Sequence, residues 1–503
     1  MISRRSLLGV GAGALALTGF KAPTTWADSG VPWSRLAARM QGHLVLPRDA
    51  DYTTAKHLYD QQFDVIDPQA LAYCVSASDV ATSLTFAQSH RLPFAVRSGG
   101  HSLGGFSTTT GLIIDVSALN SISVGNGTVT VGPGAQGVDV ANALAPYGLA
   151  VVGGYHSSVA AGGFYQGGGT GLLTRALGMG CDRITSARVV LADGTAVTAS
   201  PTQKSDLYWA VRGGGGGNFG VVTSYTMAPA VISQIAVINL AWSWDRAAAL
   251  LDSYARWSVD APRTLNGGVS IRLADAAVGN TPVPFAFVAS TGSTAELESE
   301  VARLVSLTGA PVQQSPTAVM PYRDLMMNFY GCATNTVAQC HRADTHPGGV
   351  LTRSGLYLLR SRLFTTLPPL SMWQDVVALL DTQRVAGQAH AVELVPFGGA
   401  VSDLARTDTA FVHRDALFSV NYLADIGSTT AADPAGKAAA HQFVDDGFAV
   451  IDPLSAGETN QNFIDPKLTD WAQSYYAENY TRLVQIKAKY DPNGAFGFAQ
   501  SVA

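Results

Sequence analysis

One histidine stands inside the most flexible backbone of the chain. The stretch VRSGGHSLGG, residues 96–105, sets His101 between a Gly-Gly pair and a Ser-Leu-Gly-Gly run. Glycine at that density serves where the backbone bends tightly or comes close to a bulky group, so His101 reads as a group aimed at whatever occupies the bend. Two further clusters follow, GGYHSSVAAGGFYQGGGTG at 153–171 and RGGGGGNFGVV at 212–222. Backbone N–H groups bared in such segments hold anions without a metal or a cluster of arginines. Three clusters of this kind imply one extended, phosphate-bearing ligand on which they converge. The literal GxGxxG at 215–220, GGGNFG, precedes the strand-like VVTSYTM instead of opening a helix after a strand. It is therefore not read as a dinucleotide fingerprint. Neither a P-loop nor an HExxH pattern occurs in the sequence.

The elements that position these clusters alternate between about residues 65 and 230. DVATSLTFAQSH has helical spacing with Asp79 in its first turn, and PFAVRSGG is a short strand that ends in the histidine loop. GLIIDVS, TVTVGPG and AVVGGY are strands, GVDVANALAPYG is a helix, and ITSARVVLADGTAVTAS is a hairpin turning at Asp193-Gly194. From about 236 to 455 longer helices (WDRAAALLDSYARW, TAELESEVARLVSL) alternate with strands (PVPFAFVAS, AHAVELVPF), which predicts a second α+β unit with a sheet covered by helices. The tail DWAQSYYAENYTRLVQIKAKYDPNGAF reads as one helix ended at Asp491-Pro492.

Composition narrows the class. A chain of 503 residues is long for one core, and a net charge of −5 implies no surface for nucleic acid. Arg4 and Arg5 precede an apolar run from Leu7 to Phe20, with a small-residue exit near Ala27. That run is too short to span a bilayer. Residues 1–27 read as a cleavable bacterial export signal of the twin-arginine type, so the mature chain is expected outside the cytoplasm without a membrane span. Cys74, Cys181, Cys332 and Cys340 form no CxxC pair, and no metal site is expected. Cys332 and Cys340 are read either as a disulfide or as free buried thiols.

VRSGGHSLGG, GGGTGLLTRALGMGCDRITSARVVLADG, LYWAVRGGGGGNFGVVTSY and the terminal YYAENYTRLVQIKAKYDPNGAF, in this order, resemble the berberine-bridge-enzyme-like flavin oxidases. These are a branch of the vanillyl-alcohol-oxidase superfamily with a PCMH-type FAD-binding domain. The resemblance implies an α+β fold: an FAD-binding domain of two α+β subdomains at 60–235, a substrate domain with an antiparallel sheet covered by helices at 236–455, and a C-terminal segment at 456–503 that completes the FAD site. It implies a covalent link from His101 to the 8α-methyl of the flavin, which retains the cofactor and raises its potential. Arg97, Ser98, Gly99, Gly100, Ser102 and Leu103 would wrap the pyrophosphate. Gly154, Val159, Gly162, Gly163, Gly169 and Gly171 belong to the second glycine motif. Asp182, Gly220, Val221 and Val222 fall in motifs at the adenine and ribose end, and Tyr476 and Asn479 match positions near the flavin's polar edge.

Two departures matter. Many family members attach the flavin a second time through a cysteine; here His156 holds that position, as in members of the 6-hydroxy-D-nicotine oxidase pattern, so a single link is expected and His156 is read as packing against the ring. Many members also carry a Tyr-x-Asn-Tyr segment whose tyrosine helps to remove a substrate proton. Here the segment is Asn460, Gln461, Asn462 and Phe463. Phenylalanine transfers no proton and Asn460 only hydrogen-bonds. Glu393, on a strand implied to face the flavin, becomes the first candidate base, ahead of Tyr357 and His390.

The resemblance implies an FAD-dependent oxidase acting on a small molecule. It would take hydride from an alcohol, sugar hydroxyl or amine C–H and pass the electrons to O₂ as hydrogen peroxide. A dehydrogenase using another acceptor, and a catalytically silent flavin-binding protein, stay open as alternatives.

Overall fold

The computed structural model describes residues 30–431 and 433–503; the expected export signal lies outside them. The first sheet joins His43–Val45, Ala70–Tyr73, Leu112–Asp115 and Phe94–Arg97 in that spatial order, the last three parallel. Leu112–Asp115 is buried along its whole length, as a central parallel strand must be. Helix Ala77–Ser89 packs on this sheet, its start fixed by the Ser76 hydroxyl, which accepts the Asp79 N–H at 3.1 Å. Strand Phe94–Arg97 then runs straight into the His101 loop.

The second sheet is antiparallel, in the order Ile122–Gly125, Thr128–Val131, Val221–Met227, Ile184–Val190 and Ala196–Ala199. The hairpin at Asp193-Gly194 joins the last two, with Gly194 at φ +81°. The third and largest sheet runs Gln234–Ala241, Val283–Ser290, Leu265–Leu273, Gln388–Pro396, Phe418–Ile426 and Leu356–Phe364, all antiparallel, with two short strands at the first edge. Helices Ala247–Asp260, Thr294–Thr308, Leu370–Ala378 and Pro434–Ile451 cover one face, where Tyr254, Trp257, Trp373 and Phe443 form the core. Side chains alternate across a strand, so the same strands present every second residue to the opposite face. The architecture is the α+β arrangement read from the sequence.

The tail is not one helix. Helices Trp471–Tyr476 and Tyr480–Tyr490 are separated by a short 3₁₀ turn that opens at Ala477, which takes φ +40°, a positive-φ conformation that a helix cannot continue through. Cys332 and Cys340 form a disulfide, while Cys74 and Cys181 are buried free thiols. Among the described residues, no helix is long and apolar enough to cross a membrane.

Candidate active site

The three glycine clusters meet at one cavity of about 620 Å³. Ser98, Gly99, Gly100, His101, Ser102 and Leu103 line it from the first loop. Gly154, His156, Val159, Gly162 and Gly163 line it from the second cluster, and Gly215 to Asn218 with Gly220 to Val222 from the third. Tyr476 joins them from the tail. The large sheet supplies further wall through Ser270, Arg272, Tyr357, Leu359, Glu393 and Asn421.

Bare backbone makes the loop wall. A Cβ on Gly162 would lie 2.8 Å from Ser98 Oγ, and one on Gly99 2.8 Å from the Ala160 nitrogen, so side chains there would force the two loops apart. A Cβ on Gly163 would meet nothing within 4 Å, because that glycine faces the cavity. Among the described residues, none accepts a hydrogen bond from the backbone N–H groups of Gly99 to Leu103. Unspent backbone donors in a cavity wall suit an anionic ligand. Volume, bare backbone and spare donors together fit FAD.

His101 is held from one side by Tyr59, whose ring stacks on it at 4.4 Å and 19°. Tyr59 also meets His156 edge-on at 5.0 Å and Tyr357 at 6.3 Å. Its backbone is fixed on both flanks. The Tyr59 N–H donates to the Gly100 carbonyl at 3.0 Å, and the Leu58 carbonyl accepts from Arg353 at 2.6 Å and Arg342 at 3.4 Å. Those arginines pair with Asp64 and Asp344 in turn. Burial, with His156 and Arg342 nearby, holds the His101 pKa well below the ordinary imidazole value. Burial and Arg342 take His156 down to about 4. Both rings are neutral at ordinary pH.

Register places the candidate base. Glu393 lies directly opposite Ser270 on one neighbouring strand and Asn421 on the other, and all three line the cavity. Burial raises the Glu393 pKa, against the opposing pull of Arg272 and a hydrogen bond from Asn421. Burial, then Glu393, pushes Tyr357 well above the ordinary phenol value, so it donates hydrogen bonds rather than acting as a base. His390, three residues from Glu393 on the same strand, faces the opposite way. It is fully buried, stacks on Phe443 at 4.1 Å and meets Gln388 Oε1 at 3.1 Å, a core histidine.

Several residues named from the sequence stand behind the cavity wall instead of in it. Arg97 is 4 % exposed; its Nε donates to Asp115 and one terminal nitrogen to the Ala55 carbonyl, while the other terminal nitrogen has no partner among the described residues. Asp182 pairs with Arg414 through two hydrogen bonds. The Gly169 N–H donates to Asn462 Oδ1 at 2.8 Å, and a Cβ on Gly171 would collide with the Gly153 carbonyl; both glycines serve close packing. Asn460 Oδ1 accepts the Asn462 N–H and the side chain stays buried, while its neighbours Gln461 and Asn462 face the cavity. The break at Ala477 parts Tyr476 from Asn479, whose amide donates to the Arg406 and Thr409 carbonyls.

Other wall residues carried no signal in the sequence. Tyr59 comes from a segment with no motif. Tyr155, Phe285, Phe287 and Phe329 line the substrate end but look like ordinary core aromatics. Asn421 and Arg272 lie on strands that no motif singled out, and only register shows what stands beside them.

Comparison with known proteins agrees with this geometry. Residues 68–200 match a family described as FAD binding domain, and residues 461–503 one described as berberine and berberine like. The FAD-linked oxidoreductase YgaK of Bacillus subtilis is 28% identical over 478 residues, 92% of this chain and 97% of that protein. The (R)-6-hydroxynicotine oxidase of Paenarthrobacter nicotinovorans is 36% identical over 195 residues, 38% of this chain and 42% of that protein. A solved chitooligosaccharide oxidase superposes with a TM-score of 0.81 at 22% identity, covering 93% of this chain and 98% of its own. With the cavity, the bare-backbone cradle and these matches in agreement, the chain carries an FAD binding domain and a berberine-like C-terminal segment, and it is an FAD-dependent oxidoreductase that resembles the berberine-bridge-enzyme-like proteins.

Proposed function

We propose that this is an exported oxidase with FAD linked once, at His101, and with Glu393 as the base that activates a ring-bearing amine or alcohol. The observation that carries the reading is one cavity with two kinds of wall: the glycine cradle and His101 on the loops, and Glu393, Asn421 and Tyr357 together on the sheet. When bound, FAD supplies the hydride acceptor and the route by which the electron pair reaches O₂ as hydrogen peroxide.

The chain's own groups do the rest. Glu393 accepts the proton of a substrate hydroxyl or ammonium, and its raised pKa brings it closer to the operating pH. Asn421, directly opposite on the next strand, orients the carboxylate, and Tyr357 donates toward the substrate heteroatom. Tyr59, Tyr155, Phe285, Phe287 and Phe329 exclude water and orient a flat ring. Such a wall suits an aryl amine or alcohol better than a sugar chain, and the kinship with a nicotine oxidase supports the amine. The paired arginines at the start of the chain and the Cys332–Cys340 disulfide support export to an oxidising compartment.

Mass spectrometry of the denatured protein and its tryptic peptides, beside peroxide release from a panel of amines, alcohols and sugars, tests the reading. The expected result is FAD mass on the His101 peptide and peroxide from a ring-bearing amine or alcohol. Complete release of FAD on denaturation would overturn the link. Bleaching of the flavin by substrate in air without peroxide would identify a dehydrogenase with another acceptor. A protein left colourless after expression with ample flavin would overturn the whole reading.

A further inference from the structure

Behind His101 a single backbone N–H settles the protonation of two histidines. The Ser158 N–H lies 3.2 Å from His156 Nδ1. An N–H only donates, so Nδ1 carries a lone pair and the proton of the neutral His156 ring sits on Nε2. The Ser158 hydroxyl oxygen is 3.0 Å from the same Nδ1, and since that nitrogen has no hydrogen, the hydroxyl is the donor. Its proton thus engaged, the oxygen can only accept from its other neighbour, His101 Nε2 at 2.8 Å. His101 is therefore the Nε2–H tautomer, and the free lone pair of its ring is on Nδ1.

The line of atoms is rigid. Ser158 is 1 % exposed, and its segment is tied to the start of helix Gly137–Leu144 by the Val138 N–H on the Ser157 carbonyl and the Gly137 N–H on the Val159 carbonyl. Tyr59, stacked on His101, fixes the plane of the imidazole. Burial keeps both histidines neutral, so the His101 lone pair is available as a nucleophile.

We infer that Ser158 and His156 are positioning residues for flavin attachment: through the Ser158 hydroxyl they make His101 Nδ1 the bonding nitrogen and carry away the proton on Nε2. The inference rests on the proposed link at His101. In the net step an N–C bond forms between Nδ1 and the flavin 8α carbon. One C–H bond there and the imidazole N–H are lost. The electron pair leaves on O₂, which takes the hydrogen lost from that carbon and one proton from solvent to give hydrogen peroxide. The departing imidazole proton passes to Ser158 Oγ as the serine's own proton passes to His156 Nδ1. There it opposes the Ser158 N–H and the Arg342 charge, and is released to solvent. The sequence had offered His156 only as packing against the ring; here it becomes the acceptor at the end of a relay.

The test uses full-length protein purified from riboflavin-starved cells, as wild type, Ser158→Ala, Ser158→Thr and His156→Asn. FAD is added in air, bound FAD is measured by absorbance, and the covalent adduct is followed by intact mass after denaturation. We expect Ser158→Thr to link at the wild-type rate. Ser158→Ala should bind FAD as tightly but link roughly a hundredfold more slowly. His156→Asn keeps an acceptor for the Ser158 N–H but cannot take up a proton, and should also link slowly. Linking of Ser158→Ala at the wild-type rate would overturn the relay. So would equal slowing of the alanine and threonine variants with weakened FAD binding, which marks a packing role. Wild type that never links would overturn the attachment itself, a different failure visible in the same experiment.

Discussion

Replacing Asp182 by asparagine separates a residue that binds FAD from one that holds the site in shape. Its carboxylate accepts two hydrogen bonds from Arg414, at 2.7 and 2.8 Å, and the Met179 N–H at 2.8 Å. The Arg414 side chain is 1 % exposed and that of Asp182 9 %, so solvent screens the pair little. Asparagine keeps the shape and one acceptor oxygen but leaves the guanidinium charge buried with only Thr409 and the Phe411 and Val401 carbonyls for company. Removing one partner of a buried pair costs about 3–5 kcal/mol, and the surviving acceptors place this case near about 3 kcal/mol. For a chain of 503 residues the unfolding entropy is about 1 kcal/mol/K, so the melting temperature should fall by about 3 °C. Thermal melts by circular dichroism, with FAD content read from the visible absorbance, make the assay. FAD content should stay at the wild-type level, and the double variant Asp182→Asn/Arg414→Met should recover part of the loss, because it removes the stranded charge. An unchanged melt with tenfold less FAD would refute this reasoning and make Asp182 a ligand.

Glu393→Gln should lower the rate of flavin bleaching by substrate about 10²–10⁴-fold, and the acid limb of the wild-type pH profile should lie above the ordinary carboxyl range and vanish in the variant. The same raised pKa means the folded state binds the proton more tightly. This stabilisation is present below the ordinary value of 4.5 and lost as pH rises through the raised value, so the variant should melt above wild type at alkaline pH and level with it in acid. Glu458 has the opposite sign. Burial works against its charge, but His413 and Arg406 hold its pKa down to about 2. Its contribution is present above the ordinary value and lost as pH falls toward 2; Glu458→Gln should therefore melt below wild type at neutral pH, with the gap closing in acid titrations. Gly163→Ala should leave the FAD-free melt unchanged or raised by about 1 kcal/mol, since the residue lies in a helix. Its FAD content should fall at least tenfold, because the added methyl group enters the cavity; full FAD content would show that the cofactor does not reach this glycine.

The sequence was most informative where chemistry is local. Glycine density marked all three cradle segments, and the strand carrying Glu393 was read as facing the cofactor, although His390 on that strand was kept as a weaker candidate and proves to be a core residue. It was least informative where the outcome depends on a distant partner. Arg97 and Asp182 sit in the right motifs, yet Asp115 and Arg414 claim their charges. Helical spacing joined Tyr476 to Asn479, but the positive-φ break at Ala477, which no residue type announces, sends only the first toward the cavity. In the Asn460–Phe463 segment a tight turn turns Gln461, Asn462 and Phe463 toward the cavity and Asn460 away from it. Asn421 beside Glu393 follows from register between strands 28 positions apart in the chain (393 and 421).

Tyr59 bears on how this enzyme can be divided. The FAD-binding family match starts at residue 68, and the domain boundary implied by the family resemblance lies at 60, just past the tyrosine. A chain shortened to either point would retain every glycine of the cradle and His101 itself. It would lose the ring stacked on His101 and the Leu58 carbonyl by which Arg342 and Arg353 tie that ring to the substrate side. Cofactor loop and substrate sheet are thus joined by a strap that belongs to neither, and a graft of the cradle onto another scaffold would have to carry residues 57–64 with it.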